Sequence, residues 1–194
     1  MEPVILLASA SPRRSELLQQ IGVPHQVAPA HIDEQPLAGE TPAQYVARLS
    51  LEKARAGYDK STLKLPALGS DTAVICDELI LGKPRDEEDA VTTLMRLSGR
   101  SHHVLSGVAV YTPEQQRVEV VSTEVRFRTL TETECRRYWA SGEPADKAGS
   151  YGIQGLGAVF VTSINGSYSS VVGLPLAETA AILNTFDIAA WQRD

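Results

Sequence analysis

The chain has 194 residues, 43% of them hydrophobic and 22% charged, and its 24 acidic and 18 basic side chains leave a formal net charge of −6. That length builds one large domain or two modest lobes with a real core, and the acidic balance argues against non-specific nucleic-acid binding, which needs a broad basic face. Cys76 and Cys135 are the only cysteines and lie far apart, so neither a disulfide framework nor a cysteine-rich zinc site is expected. No stretch approaches a membrane span, and the opening apolar run lacks a basic leader, so a cytoplasmic protein is expected.

Val4 to Leu7 reads as a buried strand that breaks at Ala8-Ser9-Ala10-Ser11 into Pro12-Arg13-Arg14 and a helical stripe of Leu17, Leu18 and Ile21, closed by Gly22. Ser11 suits the N-cap and Pro12 the first helical position, where a missing N–H costs nothing. Free N–H groups and the helix dipole attract anions at such a junction. Ser9, Ser11, Arg13 and Arg14 are therefore candidates to receive a phosphate; the alternative is a capped helix with two solvated arginines. Cations are disfavoured at a helix N-terminus, and a bound anion would account for a pair of them.

Pro24 to Pro29 reads as a short second strand, followed by a loop holding Asp33 and Glu34, carboxylates of a kind that usually face water. Thr41-Pro42-Ala43-Gln44 is a capping box opening a helix to about Gly57. Val46, Leu49 and Lys53 share one face of that helix, with Arg48 and Glu52 an outward pair. Lys53 either snorkels to water or carries its charge to the end of the core face. From Pro66 to Cys76 a buried strand is interrupted by Gly69-Ser70-Asp71-Thr72. A carboxylate in such surroundings needs a cation, a metal or several donors, which makes Asp71 a catalytic candidate, unless the interruption is a turn between two short strands. Asp77-Glu78 turns the chain into a hairpin with Leu79-Ile80-Leu81, and Gly82-Lys83-Pro84 leaves Lys83 at a loop edge, within reach of a phosphate or simply on the surface.

Asp86-Glu87-Glu88-Asp89 opens a helix with favourable charge, and Ser98-Gly99 ends it. Strands follow from His102 to Tyr111 and Val118 to Phe127; His102 and His103, as strand neighbours, point to opposite faces and do not form a metal pair. Thr131-Glu132-Thr133-Glu134 caps a helix with Cys135, Tyr138 and Trp139 on its core side. The glycine-dense run Asp146 to Gly157 lets a backbone lie close to a ligand, with Lys147 and Gln154 as donors, or else is a flexible connection. Val159-Phe160-Val161 and an Asn165-Gly166 hairpin turn return the chain to sheet before a last amphipathic helix through Ile182, Leu183 and Phe186.

Taken in order, these stretches resemble the Maf family of nucleoside triphosphate pyrophosphatases. The likeness covers Ala8 to Arg14, Asp33-Glu34, Glu52-Lys53-Ala54, Gly69 to Thr72, Gly82-Lys83-Pro84, Ser98-Gly99, Asp146 to Gly149, Tyr151 to Gly155 and Val172 to Pro175. It implies a single Maf-like domain over residues 1–194: an α/β fold with an elongated central mixed sheet flanked by helices, two lobes and a cleft, similar to the inosine-triphosphate pyrophosphatases. It further implies cleavage of a nucleoside triphosphate between its α and β phosphates, a divalent cation (Mg²⁺ or Mn²⁺) and a homodimer, with no nucleic-acid or membrane partner.

By that resemblance Asp71 accepts a proton, and Glu34 and Asp71 hold the metal as hard oxygen ligands. Lys53 and Lys83, with Arg13 and Arg14, neutralise charge on the phosphates, and Ser9 and Ser11 add donors. Lys147 belongs to the substrate-binding set. The branch of the family acting on dTTP and UTP shows Arg, Thr and Gln at the positions of Arg13, Thr72 and Gln154, and a glutamine amide can both donate to O4 and accept from N3–H of such a base. The rival expectation is a nucleotide-sensing regulator of septation with little turnover.

Overall fold

In a computed structural model the chain is described from Glu2 to Trp191. The strands are β1 (Ile5–Leu7), β2 (His25–Val27), β3 (Ala67–Cys76), β4 (Leu79–Leu81), β5 (Ser101–Tyr111), β6 (Gln116–Phe127) and β7 (Val161–Asn165). The helices are α1 (Pro12–Gln20), α2 (Pro42–Lys60), α3 (Glu87–Leu97), α4 (Glu132–Ala140), α5 (Tyr168–Val172) and α6 (Leu176–Asn184). All seven strands join one sheet in the order β2-β1-β3-β5-β6-β7, with β4 pairing β3. The pairings β1–β2 and β1–β3 are parallel; β3–β4 and β6–β7 are antiparallel. The expected mixed sheet flanked by helices is thus the architecture found.

The described chain forms two compact units, one of residues 2–71, 106–121 and 173–191, the other of residues 72–105 and 122–172. In the first, β1 has β2 on one side and β3 on the other, the arrangement that opens a crevice beyond the carboxyl ends of the strands. Ile5, Leu6 and Leu7 are wholly buried, as a strand covered on both faces requires. α2 is the longest helix, and its capping box forms as expected, Thr41 accepting from the Gln44 amide while the Gln44 side chain returns a bond to the Thr41 N–H. It runs to Lys60, one turn beyond the expected end.

The core of the second unit gathers Val74, Val91, Leu94, Leu97, Val104, Val125, Phe127, Cys135, Tyr138, Tyr151, Ile153 and Phe160. His102 is buried among them with its Nε2 at 2.8 Å from the Tyr151 hydroxyl, and its ring meets Phe127 and Tyr151 edge-on. His103 is exposed, so the two histidines do face opposite ways.

Three expectations fail in detail. Asn165-Gly166 does not turn into a hairpin but leads into α5, because Gly166 is pressed against Thr123 of β6, whose hydroxyl accepts the Ser167 N–H at 3.0 Å. Residues 156–160 are a 3-10 stretch rather than strand, so β7 begins only at Val161. Trp139 is half-buried while Cys135 and Tyr138 fill the core. The expected Arg48–Glu52 pair forms at 3.4 Å, and Arg48 also pairs with Glu40 through contacts of 2.6 and 2.8 Å.

Candidate active site

In the first unit β3 outruns β1. The pairing Leu7↔Leu68 is the last between them, and Asp71 lies three residues further along the same continuous strand. Asp71 therefore stands beside the turn by which β1 passes into α1, not in a turn of its own. It is nearly buried, 8% exposed, and a carboxylate there needs a partner. Lys53 supplies it: Nζ is 2.7 Å from Asp71 Oδ1 and also 2.7 Å from Glu34 Oε1. One ammonium thus joins two carboxylates from segments far apart in sequence. Lys53 belongs to the buried face of α2 with Val46 and Leu49, and it carries charge to the end of that face rather than snorkelling to water.

Gly69 sets the spacing. A Cβ there would lie 2.6 Å from the Ala54 amide nitrogen and closer still to the Ser50 carbonyl. α2 can rest on β3 only because residue 69 has no side chain, and that contact brings Lys53 within reach of Asp71 two residues along the strand.

Glu34 stands on an irregular loop, with its side chain half-exposed. α2 staples this loop in place: the Tyr45 hydroxyl donates to the Glu34 carbonyl at 2.9 Å, Arg48 donates to the Gln35 carbonyl at 3.1 Å and grips Glu40. Arg48 holds the Glu40 carboxyl at about 2, well below its ordinary range. Burial, followed by the Asp71 and Glu34 charges, pushes the Tyr45 phenol up to about 12. Tyr45 was not a sequence candidate, yet it precedes Leu49 by four residues and Lys53 by eight, so helical spacing alone could have placed it on the same side.

At the β1–α1 junction Ser11 takes the N-cap position, but its hydroxyl makes no capping bond. The Ser9 hydroxyl accepts instead, from the Ser11 N–H at 3.2 Å and from Arg14 Nη1 at 3.0 Å. Arg14 Nε donates to the Gly173 carbonyl at 2.9 Å, and the buried Ser70 hydroxyl lies 2.9 Å from the same oxygen and 2.7 Å from the Gly107 carbonyl. Burial holds the Arg14 guanidinium below its usual pKa, with Asp71 opposing the shift and Arg13 reinforcing it. Ser9, Arg13, Arg14, Glu34, Lys53 and Asp71 therefore make one electrostatic neighbourhood. Gly173 and Ser70, neither of them anticipated as fixing an arginine, complete it.

Hard oxygen donors suit a divalent ion, which is commonly held through one or two carboxylates plus water. Glu34 and Asp71 answer that description, since both reach the same ammonium and so lie close enough to share a cation.

The other sequence candidates belong to the second unit, where Thr72 follows Asp71 along β3. Lys83 is exposed on the loop after β4, and that loop is tied to the glycine-rich run by a bond from the Gly149 N–H to the Gly82 carbonyl at 3.1 Å. The Lys147 ammonium bonds within its own segment, to the Glu143 carbonyl at 2.8 Å and to Asp146 at 2.6 Å. Gln154 is exposed, third in a tight turn closed by the Gly155 N–H on the Gly152 carbonyl at 3.2 Å, while its neighbour Ile153 is buried in the core.

The turn encloses a residue that sequence reasoning missed. Glu143 Oε1 accepts from the Tyr138 hydroxyl at 2.6 Å and from the Gly157 N–H at 3.1 Å, and Oε2 accepts from the Leu156 N–H at 2.8 Å. Tyr138 in turn accepts the Gly152 N–H at 3.0 Å. A Cβ at Gly155 would meet the Glu143 carboxyl carbon at 2.6 Å, one at Gly152 the Lys147 side chain at 2.7 Å, and one at Gly157 the Tyr138 oxygen at 2.7 Å. These glycines let the backbone close around protein groups, in 3-10 and turn structure rather than as a flexible connection. Burial raises the Glu143 pKa, but the Tyr138, Leu156 and Gly157 donors and the Lys147 charge outweigh it, and the net shift is downward.

Parallel strands ordered β2-β1-β3, with a lysine–carboxylate centre beyond their carboxyl ends, define an open α/β protein built to handle a charged ligand. The model of the Maf-like protein family matches residues 4–186, and the chain belongs to that family. It is 52% identical over 191 residues to the dTTP/UTP pyrophosphatase of Saccharophagus degradans, covering 97% of this chain and 91% of that one. The proteins of the same name from Aliivibrio fischeri and Vibrio cholerae are 51% and 52% identical, over 96% and 94% of this chain and 100% and 97% of theirs. Among solved structures, the dITP/XTP pyrophosphatase from Mycobacterium abscessus is similar at a TM-score of 0.47 and 19% identity, covering 94% of this chain and 93% of that one. Among the described residues no helix is long and apolar enough to cross a membrane.

Proposed function

We propose that this chain hydrolyses dTTP and UTP to the monophosphate and pyrophosphate. The observation that carries the proposal is the Lys53 ammonium, 2.7 Å from both Glu34 and Asp71 beside the half-buried arginine junction. The names of relatives about half identical over nearly the whole chain support the choice of substrates. A triphosphate carries about four negative charges, and attack on it requires fixed cations aimed at where charge develops. Arg13 and Arg14 lie at a helix N-terminus, where backbone N–H groups reinforce them. Ser9 and Gly173 hold the Arg14 fork so that little reorganisation is needed on binding.

Lys53 engages Asp71 at Oδ1, so Oδ2 is the oxygen to take a proton from an attacking water. Lys53 orients Asp71, while Lys83 is assigned to the leaving phosphates. A divalent metal, Mg²⁺ or Mn²⁺, would be held by Glu34 and Asp71 and would supply further neutralisation of phosphate charge. Gln154, exposed on its turn, offers a donor and an acceptor to O4 and N3–H of uracil or thymine, with Arg13 and Thr72 as the other residues assigned to selectivity. The enzyme is taken as a cytoplasmic homodimer, which light scattering would check.

The test is pyrophosphate release from dTTP, UTP, CTP and purine triphosphates, with and without added Mg²⁺ or Mn²⁺. Metal-dependent turnover of dTTP and UTP well above the others is expected. Turnover of a purine triphosphate with dTTP and UTP untouched would overturn the proposal.

A further inference from the structure

Glu143 belongs to the second unit, and both oxygens of its carboxylate are engaged by donors from the glycine-rich run and from α4. It takes the Leu156 and Gly157 N–H groups and the Tyr138 hydroxyl, and Tyr138 takes the Gly152 N–H. The chain from Gly152 to Gly157 is thus bound at both ends to one acid–phenol pair, and Gln154 is at the crest of that loop. Ile153 on one side is anchored in the core, and Gly155 on the other is in contact with the carboxylate. A glutamine side chain on an irregular loop would otherwise sample many directions. Selective hydrogen bonding to a base edge demands that its oxygen and nitrogen be presented in one orientation.

We infer that the Glu143–Tyr138 pair is the positioning device for Gln154, and that through it Glu143 sets the enzyme's preference for uracil and thymine nucleotides. The inference rests on Gln154 reading the base, as proposed above. Glu143 needs to be a carboxylate for this, not merely a polar residue. Both of its oxygens accept from donors, so the amide of Glu143→Gln necessarily turns an N–H against a backbone N–H or the Tyr138 hydroxyl.

The experiment is a double-mutant cycle on the full-length enzyme, measuring kcat and KM for UTP and CTP in wild type, Glu143→Gln, Gln154→Ala and the double variant. Hydrogen exchange at the Gly152, Leu156 and Gly157 amides is followed in parallel. Glu143→Gln is expected to raise KM for UTP roughly tenfold with kcat within about twofold, to lower the UTP-over-CTP preference, and to deprotect those three amides. Added to Gln154→Ala it is expected to change KM no further, because the group it positions is gone.

Full additivity in the cycle would overturn the inference, as would Glu143→Gln keeping the UTP preference that Gln154→Ala loses. Should Gln154→Ala itself keep the preference, the base-reading role falls and the inference with it, a result distinct from the other two. If Glu143→Gln does not fold, Tyr138→Phe replaces it in the cycle, with the same outcomes deciding, since it removes the hydroxyl linking Glu143 to Gly152.

Discussion

Gly69→Ala is the substitution that most directly tests how the lysine–carboxylate centre is built. A methyl group there would sit 2.6 Å from the Ala54 nitrogen and nearer to the Ser50 carbonyl, both of them helix backbone with no rotamer to yield. Restoring ordinary contact requires α2 and β3 to separate by roughly 1 Å, since unstrained heavy-atom contacts lie near 3.5 Å. The same movement carries Lys53 from its 2.7 Å contact with Asp71 to beyond hydrogen-bond range. Overpacking of this kind costs about 1–3 kcal/mol, which in a chain of this size lowers the melting temperature by roughly 3–10 °C. Misplacing a catalytic group by about 1 Å costs on the order of a hundredfold in rate. Calorimetry and pyrophosphate release from UTP measure the two effects on one preparation. A variant that melts early but keeps wild-type kcat would refute the link between helix spacing and catalysis. One that melts as wild type would refute the steric premise itself.

Lys53→Met is expected to lower kcat by about a hundredfold or more, because it removes the cation shared by Glu34 and Asp71; retention of a third of wild-type turnover would count against that role. Tyr45→Phe deletes the bond to the Glu34 carbonyl, costing about 1 kcal/mol, and should speed proteolytic nicking between residues 31 and 36, an effect absent if the tether is idle. Burial, with a smaller contribution from His103, lowers the His102 pKa to about 4. Between pH 6.5 and 4 the unfolded chain therefore binds a proton at His102 that the folded chain does not, and stability falls as pH falls through that window. From pH 6.5 to 5 the loss is roughly 1–2 kcal/mol, visible in urea unfolding. His102→Phe should remove that part of the pH dependence; an unchanged slope would mean the ring titrates normally. Glu143 behaves oppositely in origin: its lowered pKa contributes stability above the ordinary carboxyl range that disappears as pH drops through its folded value.

What could be read from the sequence followed from local rules that tertiary contacts left undisturbed. The boxes at Thr41 and Thr131 form because each pairs groups only three residues apart. Asp71 and Lys53 stand out because each breaks an apolar pattern, and breaking a pattern is visible without knowing the partner. Which acid would meet which cation was not, since Glu34 is brought to Lys53 by Tyr45 and Arg48 acting on a loop with no periodicity. Asn165-Gly166 misled for a related reason. The dipeptide favours a hairpin only when the following residues pair back as a strand, whereas here contact with Thr123 directs Ser167 into α5.

The glycine-rich run shows the limit most sharply, because a glycine reports that something is close without saying what. At Gly69 the close neighbour is the backbone of α2, and the consequence is a lysine delivered to an aspartate. At Gly155 it is the Glu143 carboxylate, and the consequence is a fixed turn beneath Gln154. In both places the missing side chain acts on chemistry performed by a neighbour rather than making room for the substrate itself. A substitution at either glycine should therefore change what its neighbour does, kcat through Lys53 and Asp71 in one case and base preference through Gln154 in the other. That division of effects is a sharper signature of this architecture than loss of activity alone.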